Sequence, residues 1–79
     1  MNAQDLIDLL QPHFPNGLIQ SANNGNKFDL RVVDDSFKDK RPVARQQAIL
    51  ALVNDKFASG EIHALNIQAL TYSEWQAKQ

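Results

Sequence analysis

Ile62-His63-Ala64-Leu65-Asn66-Ile67-Gln68-Ala69-Leu70-Thr71, followed by Tyr72-Ser73-Glu74-Trp75, is the stretch on which the fold turns. Leu65, Ile67 and Ala69 alternate with Asn66 and Gln68, the period-two pattern of a strand with one buried face. Thr71 and Glu74 have capping-box spacing, so the Thr71 hydroxyl is expected to accept from the Glu74 amide while the Glu74 side chain reaches back. The segment predicts a last strand running into a short terminal helix. Trp75 on that helix is expected to be an apolar lid over the end of the sheet. His63 stands at the mouth of the strand, and its parity with Leu65 and Ile67 predicts partial burial.

The chain upstream supplies the rest of the sheet and its cover. Ser59-Gly60 ends a long helix, with Gly60 available for a left-handed backbone, and Pro42 suits its first residue. Val43, Ile49, Leu50, Leu52, Val53 and Phe57 predict a broad buried face on that helix. Leu50, Val53, Leu65 and Ile67 are expected to be buried together. Asp34–Lys40 is polar around Phe37 and predicts one short helical turn capped by Asp35 or Ser36. Phe28, Leu30 and Val32 alternate with Asp29 and Arg31 as a second strand. Leu18–Ala22 pairs with it as a first strand through the turn Asn23-Asn24-Gly25-Asn26. At the N-terminus, Leu6, Ile7, Leu9 and Leu10 form a helical stripe, with Asn2 as N-cap and Asp5 favourable in the first turn. Pro12 and Pro15-Asn16-Gly17 stop this helix. The order helix, strand, strand, short helix, long helix, strand, helix predicts an α+β fold. Helices cover one face of a three-stranded sheet, in one domain over residues 1–79.

Composition narrows the function classes. The chain has 79 residues, 43% hydrophobic and 22% charged, as in an ordinary globular protein. Without cysteine, disulfides, thiolate nucleophiles and zinc–thiolate sites are excluded. A formal net charge of −1 gives no global attraction to nucleic acid or acidic membranes. No apolar run is long enough to span a bilayer. Met1-Asn2-Ala3-Gln4-Asp5 does not resemble a signal peptide, so a cytoplasmic location is expected.

Two features carry candidate chemistry. Neutral imidazole ligates iron, zinc or copper, which makes His63 a candidate ligand; the alternative is a structural histidine packed at a strand end. His13, at the end of the first helix, suits that helix's negative pole. Lys38, Lys40, Arg41 and Arg45 cluster before and at the start of the long helix. A helix–turn–helix element presenting them would contact phosphates; the alternative is ordinary solvated charge. There is no Gly-x-x-Gly loop of the kind that clamps a nucleic-acid backbone. Ser36 and Ser73 have no neighbouring histidine, and Asp34-Asp35 suits capping better than catalysis. No catalytic pair emerges, and the chain is not expected to be an enzyme.

Phe37-Lys38-Asp39-Lys40, Val43-Ala44-Arg45-Gln46-Gln47, Ile62-His63-Ala64-Leu65-Asn66-Ile67, Thr71 and Glu74-Trp75 together resemble the BolA family over roughly residues 3 to 77. The Arg-Gln-Gln form resembles its IbaG (YrbA)-like subgroup. The resemblance implies a class II KH-like fold. It implies a non-enzymatic adaptor that pairs with a monothiol glutaredoxin and shares a [2Fe-2S] cluster bridged with glutathione, in iron homeostasis. The family's last-strand histidine is a cluster ligand, and His63 occupies that position; the isolated chain is expected to hold no cluster. Alternatively, the resemblance implies a DNA-binding transcriptional regulator linked to stress response and morphology, here through Lys38, Lys40, Arg41 and Arg45. The chain alone is expected to be a monomer or weak homodimer. It departs from the family where a second ligand, Cys or His, precedes the phenylalanine of the second strand: here that residue is Lys27, and a protonated lysine does not ligate iron.

Overall fold

The computed structural model describes residues 1–78. The chain runs α1 (Ala3–Leu10), β1 (Leu18–Asn24), β2 (Lys27–Val33), α2 (Pro42–Ser59), β3 (Ala64–Leu70) and α3 (Tyr72–Ala77). Single 3₁₀ turns lie at Gln11–His13 and Asp35–Phe37. The second of these is the expected short helix.

Local chemistry fixes the element ends. Asn2 Oδ1 accepts from the Asp5 amide at 2.9 Å, and the Asp5 carboxylate accepts from the Asn2 amide at 2.9 Å. Two otherwise orphan donors of α1 are thereby satisfied. Thr71 and Glu74 form the same reciprocal pair for α3, at 3.2 and 2.9 Å. Pro42 opens α2 and Gly60, at φ 83°, closes it. The cap of the Asp35–Phe37 turn is Asp34, not Asp35 or Ser36. Asp34 is still in extended backbone as β2 ends, the geometry an N-cap requires, and its carboxylate accepts from the Ser36 amide at 3.1 Å. Asp35 instead accepts from the amide of Tyr72 at 3.1 Å.

The sheet order is β1-β2-β3. β1 and β2 are antiparallel with Asn24 opposite Lys27, leaving Gly25-Asn26 as the loop. β1 thus extends to Asn24, beyond the expected Ala22, because a two-residue loop lets pairing continue to the turn. Gly25 takes the positive φ of 63°. β2 and β3 are parallel, with Phe28 beside Leu65, Leu30 beside Ile67 and Val32 beside Ala69. These residues share the face covered by α1 and α2. The core unites Leu6 and Leu10, Ile19, Phe28, Leu30 and Val32, Phe37, Ile49 and Val53, and Ile62. Leu65 and Ile67 are partly buried against it.

The opposite face carries Lys27, Asp29 and Arg31. Arg31 donates to Gln68 at 2.7 Å and to Gln20 at 2.8 Å, bridging all three strands. Its guanidinium lies 4.5 Å from the centre of the half-buried Trp75 ring, so the tryptophan closes over an arginine at this end of the sheet.

α2 is buried along a narrower line than expected. Arg45, Ile49 and Val53 face inward at intervals of one turn. Val43 is 66% and Leu50 38% exposed, against the expectation of burial. Leu50 lies about 100° around the helix from Ile49, beyond the line that meets the sheet.

Candidate functional site

His63 is placed by its neighbours rather than by its own side chain. After Gly60 turns the chain, the Ser59 hydroxyl accepts from the Glu61 amide at 3.3 Å and donates to Glu61 Oε2 at 3.1 Å. Lys56 pairs with Glu61 at 3.4 Å. The Ser59 hydrogen bond and the nearby Lys56 ammonium hold the Glu61 carboxyl below its ordinary range. Ile62, 1% exposed, drives into the core, and its amide donates to the Lys56 carbonyl at 3.1 Å. His63 follows this anchor and is exposed. Its amide donates to the carbonyl of Asn26, in the hairpin loop, at 2.8 Å. The expected partial burial fails because β3 begins only at Ala64. Strand alternation does not govern the residue before the strand.

Among the described residues the His63 imidazole has no hydrogen-bond partner, and no three His, Asp or Glu side chains converge as a metal site. Both ring nitrogens are therefore open to an incoming group. His13 lies in the 3₁₀ turn after α1, which leads to Leu18, at the end of the sheet opposite the hairpin loop. The two histidines are not brought together. Lys27 is exposed at the start of β2, between Asn24 and Ala64 in the two registers. A shallow groove of about 350 Å³ runs beside it, lined by Asn23, Asn24, Lys27, Asp29 and Asn66 among others. Asn66 donates to Asp29 across its floor at 2.9 Å. The polar lining of this groove is thus amides, one ammonium and the Asp29 carboxylate, which Asn66 already engages. With no cysteine in the chain, His63 and these groups cannot enclose an iron–sulfur cluster by themselves.

The basic segment lies at the other end of β3, about 20 Å away for a seven-residue strand. Phe37 is buried as an anchor, and the Lys40 amide donates back to the Phe37 carbonyl at 3.1 Å. This closes a turn with Lys38 extended and Asp39 at φ 65°. Such a backbone matches a type II turn, whose third position favours glycine. Lys38, Lys40 and Arg41 are exposed. Arg45 is not with them, which corrects its assignment as a phosphate contact. Its residue is 8% exposed, and the guanidinium points inward beside Phe37. Nε donates to the Lys40 carbonyl at 2.9 Å, and Nη1 donates to the Ala69 carbonyl at 3.1 Å and to Glu74 at 2.6 Å. Nη2 reaches the other Glu74 oxygen at 3.3 Å. These hydrogen bonds, the Arg45 one foremost, pull the Glu74 carboxyl down to about 2. Arg45 ties the loop, α2, β3 and α3 together. The helix preceding α2 is moreover only one 3₁₀ turn, so the helix–turn–helix element is rudimentary.

Sequence reasoning missed Asn26 and Ile62 as the residues that set His63. Asn26 acts through its backbone carbonyl, which leaves no side-chain signature. Ile62 stands two residues before the strand, where an inward anchor is readable only once the core is known.

Comparisons with known proteins agree with this architecture. Residues 10–74 match the family model described as BolA-like protein. An uncharacterized protein from the rpoN–murA intergenic region of Acinetobacter guillouiae is 46% identical over 76 residues, covering 96% of this chain and 92% of the relative. A protein of Vibrio cholerae named DNA-binding transcriptional regulator BolA is 34% identical over 77 residues, covering 90% and 72%. Among solved structures, the BolA domain of SufE1 from Arabidopsis thaliana superposes with a TM-score of 0.75 at 27% identity, covering 91% of this chain and 93% of that one.

Proposed function

We propose, from the premise that this chain belongs to the BolA-like family, that it is a non-enzymatic cytoplasmic adaptor. It binds a monothiol glutaredoxin and takes part in handling a [2Fe-2S] cluster. The observation that carries this reading is His63: an exposed imidazole with no partner among the described residues, set beside the hairpin loop by a 2.8 Å bond to Asn26. An available ring nitrogen on an exposed residue suits a ligand offered outward to a second protein. The remaining ligands come from the glutaredoxin and glutathione. Lys27 in the second-ligand position makes His63 this chain's sole contribution, so the cluster is held less tightly than with a two-ligand member. Arg45-Gln46-Gln47 supports placement in the IbaG-like subgroup.

Co-expression with a monothiol glutaredoxin tests the reading. The two proteins should co-purify as a complex whose visible absorption differs from that of the glutaredoxin alone. Failure to co-purify, with or without iron, would refute it.

A second reading, a DNA-binding transcriptional regulator, draws support from the name of the Vibrio cholerae relative. It now rests on exposed Lys38, Lys40 and Arg41 without Arg45. Contacts of that kind are to phosphates, so binding would fall steeply with salt. Absence of binding at low salt would remove it.

A further inference from the structure

Two of the three glycines follow asparagine, in Asn16-Gly17 and Asn24-Gly25. That dipeptide is chemically labile, because no Cβ shields the glycine nitrogen from the asparagine side chain before it. The fold holds the two pairs differently. The Gly17 amide donates to the Phe14 carbonyl at 2.9 Å, and the Gly17 carbonyl accepts from Gln11 at 3.4 Å. A Cβ on Gly17 would stand 3.0 Å from Phe14 Cβ and 3.2 Å from the Val33 carbonyl oxygen. The Asn16 carbonyl accepts from the Tyr72 hydroxyl at 2.6 Å. Asn16-Gly17 is thus fixed in place.

Asn24-Gly25 is bare. Both residues are exposed, and a Cβ on Gly25 would have nothing within 4 Å. The neighbouring Asn23 side chain is engaged at both ends: it accepts from the Ala3 amide at 3.0 Å and donates to the Gly25 carbonyl at 3.0 Å. Among the described residues, neither the Asn24 side chain nor the Gly25 amide nitrogen has a hydrogen-bond partner. The electrophilic carbon and the nucleophilic nitrogen are both unencumbered.

We propose that Asn24 is a site of spontaneous deamidation. The Gly25 amide nitrogen loses its proton and attacks Asn24 Cγ. The N–Cγ bond forms, the Cγ–Nδ2 bond breaks, and the side-chain nitrogen takes up a proton and leaves as ammonia. A five-membered cyclic imide remains. Solvent water then opens the ring at one of its two carbonyls, with nothing oxidised or reduced. Opening at Cγ gives aspartate. Opening at the main-chain carbonyl gives isoaspartate, whose main chain runs through Cγ and is one methylene longer. Cyclisation turns the Asn24 backbone out of its extended form, so it proceeds when the last ladder pair, Asn24 with Lys27, opens; ladder ends open most readily. Both products put a negative charge across from the exposed Lys27 ammonium. Isoaspartate also overfills the two-residue loop, which displaces the Asn26 carbonyl that holds the His63 amide at 2.8 Å. The surroundings of His63 thereby change in charge and shape as the protein ages, whatever partner it binds.

The test is to hold the full chain for weeks in mildly alkaline buffer, folded and in concentrated urea, and to map the digested protein by mass spectrometry. Heavy-oxygen water labels each new carboxylate. In the folded chain Asn24 should convert about ten-fold faster than Asn16, since Asn16 reacts only after the Gly17 hydrogen bond is released. In urea both pairs lose their surroundings, and the two rates should converge. The isoaspartate fraction, separated by ion exchange, should show a displaced His63 amide resonance. Asn24 intact in the folded chain, Asn16 converting as fast as Asn24 there, the same preference persisting in urea, or an unmoved His63 amide in the isoaspartate fraction would each overturn the inference.

Discussion

Ile49 and Leu50 are neighbours in sequence that the structure puts on different sides of α2, and truncating each to alanine measures that difference. Ile49 is 0% exposed between Val53 and the sheet. Removing its γ and δ carbons forfeits roughly 0.8 kcal/mol of transfer free energy per methylene-sized group. The cavity left adds to this, for about 3 kcal/mol in all. Leu50 loses as many carbons from a site already 38% open to water. No closed cavity results, and the cost should be about 1 kcal/mol or less. A domain of this size has on the order of 5–10 kcal/mol of stability. Ile49→Ala should therefore lower the melting temperature by roughly 12–24 °C, at 4–8 °C per kcal/mol, and Leu50→Ala by only a few degrees. Urea titrations followed by far-UV circular dichroism and by Trp75 fluorescence give both values on one scale. Equal losses at the two positions, or a larger one at Leu50, would refute the orientation of α2 on the sheet.

Other consequences are open to measurement. Glu74 has its folded-state pKa lowered from 4.5 to about 2 by Arg45, so the stabilisation it confers is present above pH 4.5 and is lost as pH falls toward 2; Glu74→Gln should flatten the acid limb of the stability–pH curve, and an unchanged limb would contradict the pairing. Neutralising Lys38, Lys40 and Arg41 together should leave the melting temperature nearly unaltered and abolish any salt-dependent DNA binding, whereas Arg45→Gln should lower the melting temperature by unpairing the carbonyls of Lys40 and Ala69. The opposite pattern would restore Arg45 to the surface set. Asp39→Ala should destabilise by about 1 kcal/mol, because it keeps a Cβ at φ 65° and loses the short polar side chain that tolerates this backbone; denaturant midpoints check it.

The fold was largely legible because its signals are local. Asn2 with Asp5, Thr71 with Glu74, Pro42 and Gly60 each mark an element end through chemistry within a few residues. The alternation in Phe28–Val32 and Leu65–Ala69 set the buried face of β2 and β3 correctly. What was not legible depends on partners distant in sequence. Arg45 looks like one more surface cation until Glu74, Ala69 and Lys40 converge on it. α2 has apolar residues around much of its circumference, so periodicity alone did not single out the line through Ile49 and Val53. At the site, the sequence singled out His63 at the mouth of the last strand but predicted its partial burial. Its exposure, however, arises from Ile62 plunging into the core and the Asn26 carbonyl catching the next amide, neither of which has a pattern to read. Asp34-Asp35 was read as a capping pair, but the cap of the short turn was set one residue late because the end of β2 could not be fixed to the residue.

The central claim is that His63 is the ligand this chain presents to a glutaredoxin-bound cluster, and visible circular dichroism of the mixed complex tests it most directly. Titrating the wild type into a cluster-loaded monothiol glutaredoxin should reshape the visible bands as one ligand is exchanged for imidazole, and Lys27→His should slow subsequent loss of the cluster. His63→Ala, at an exposed position that leaves the fold intact, should leave the spectrum that of the glutaredoxin alone. Identical spectral change and cluster lifetime with wild type and His63→Ala would contradict the account and leave His63 a structural residue at the mouth of β3.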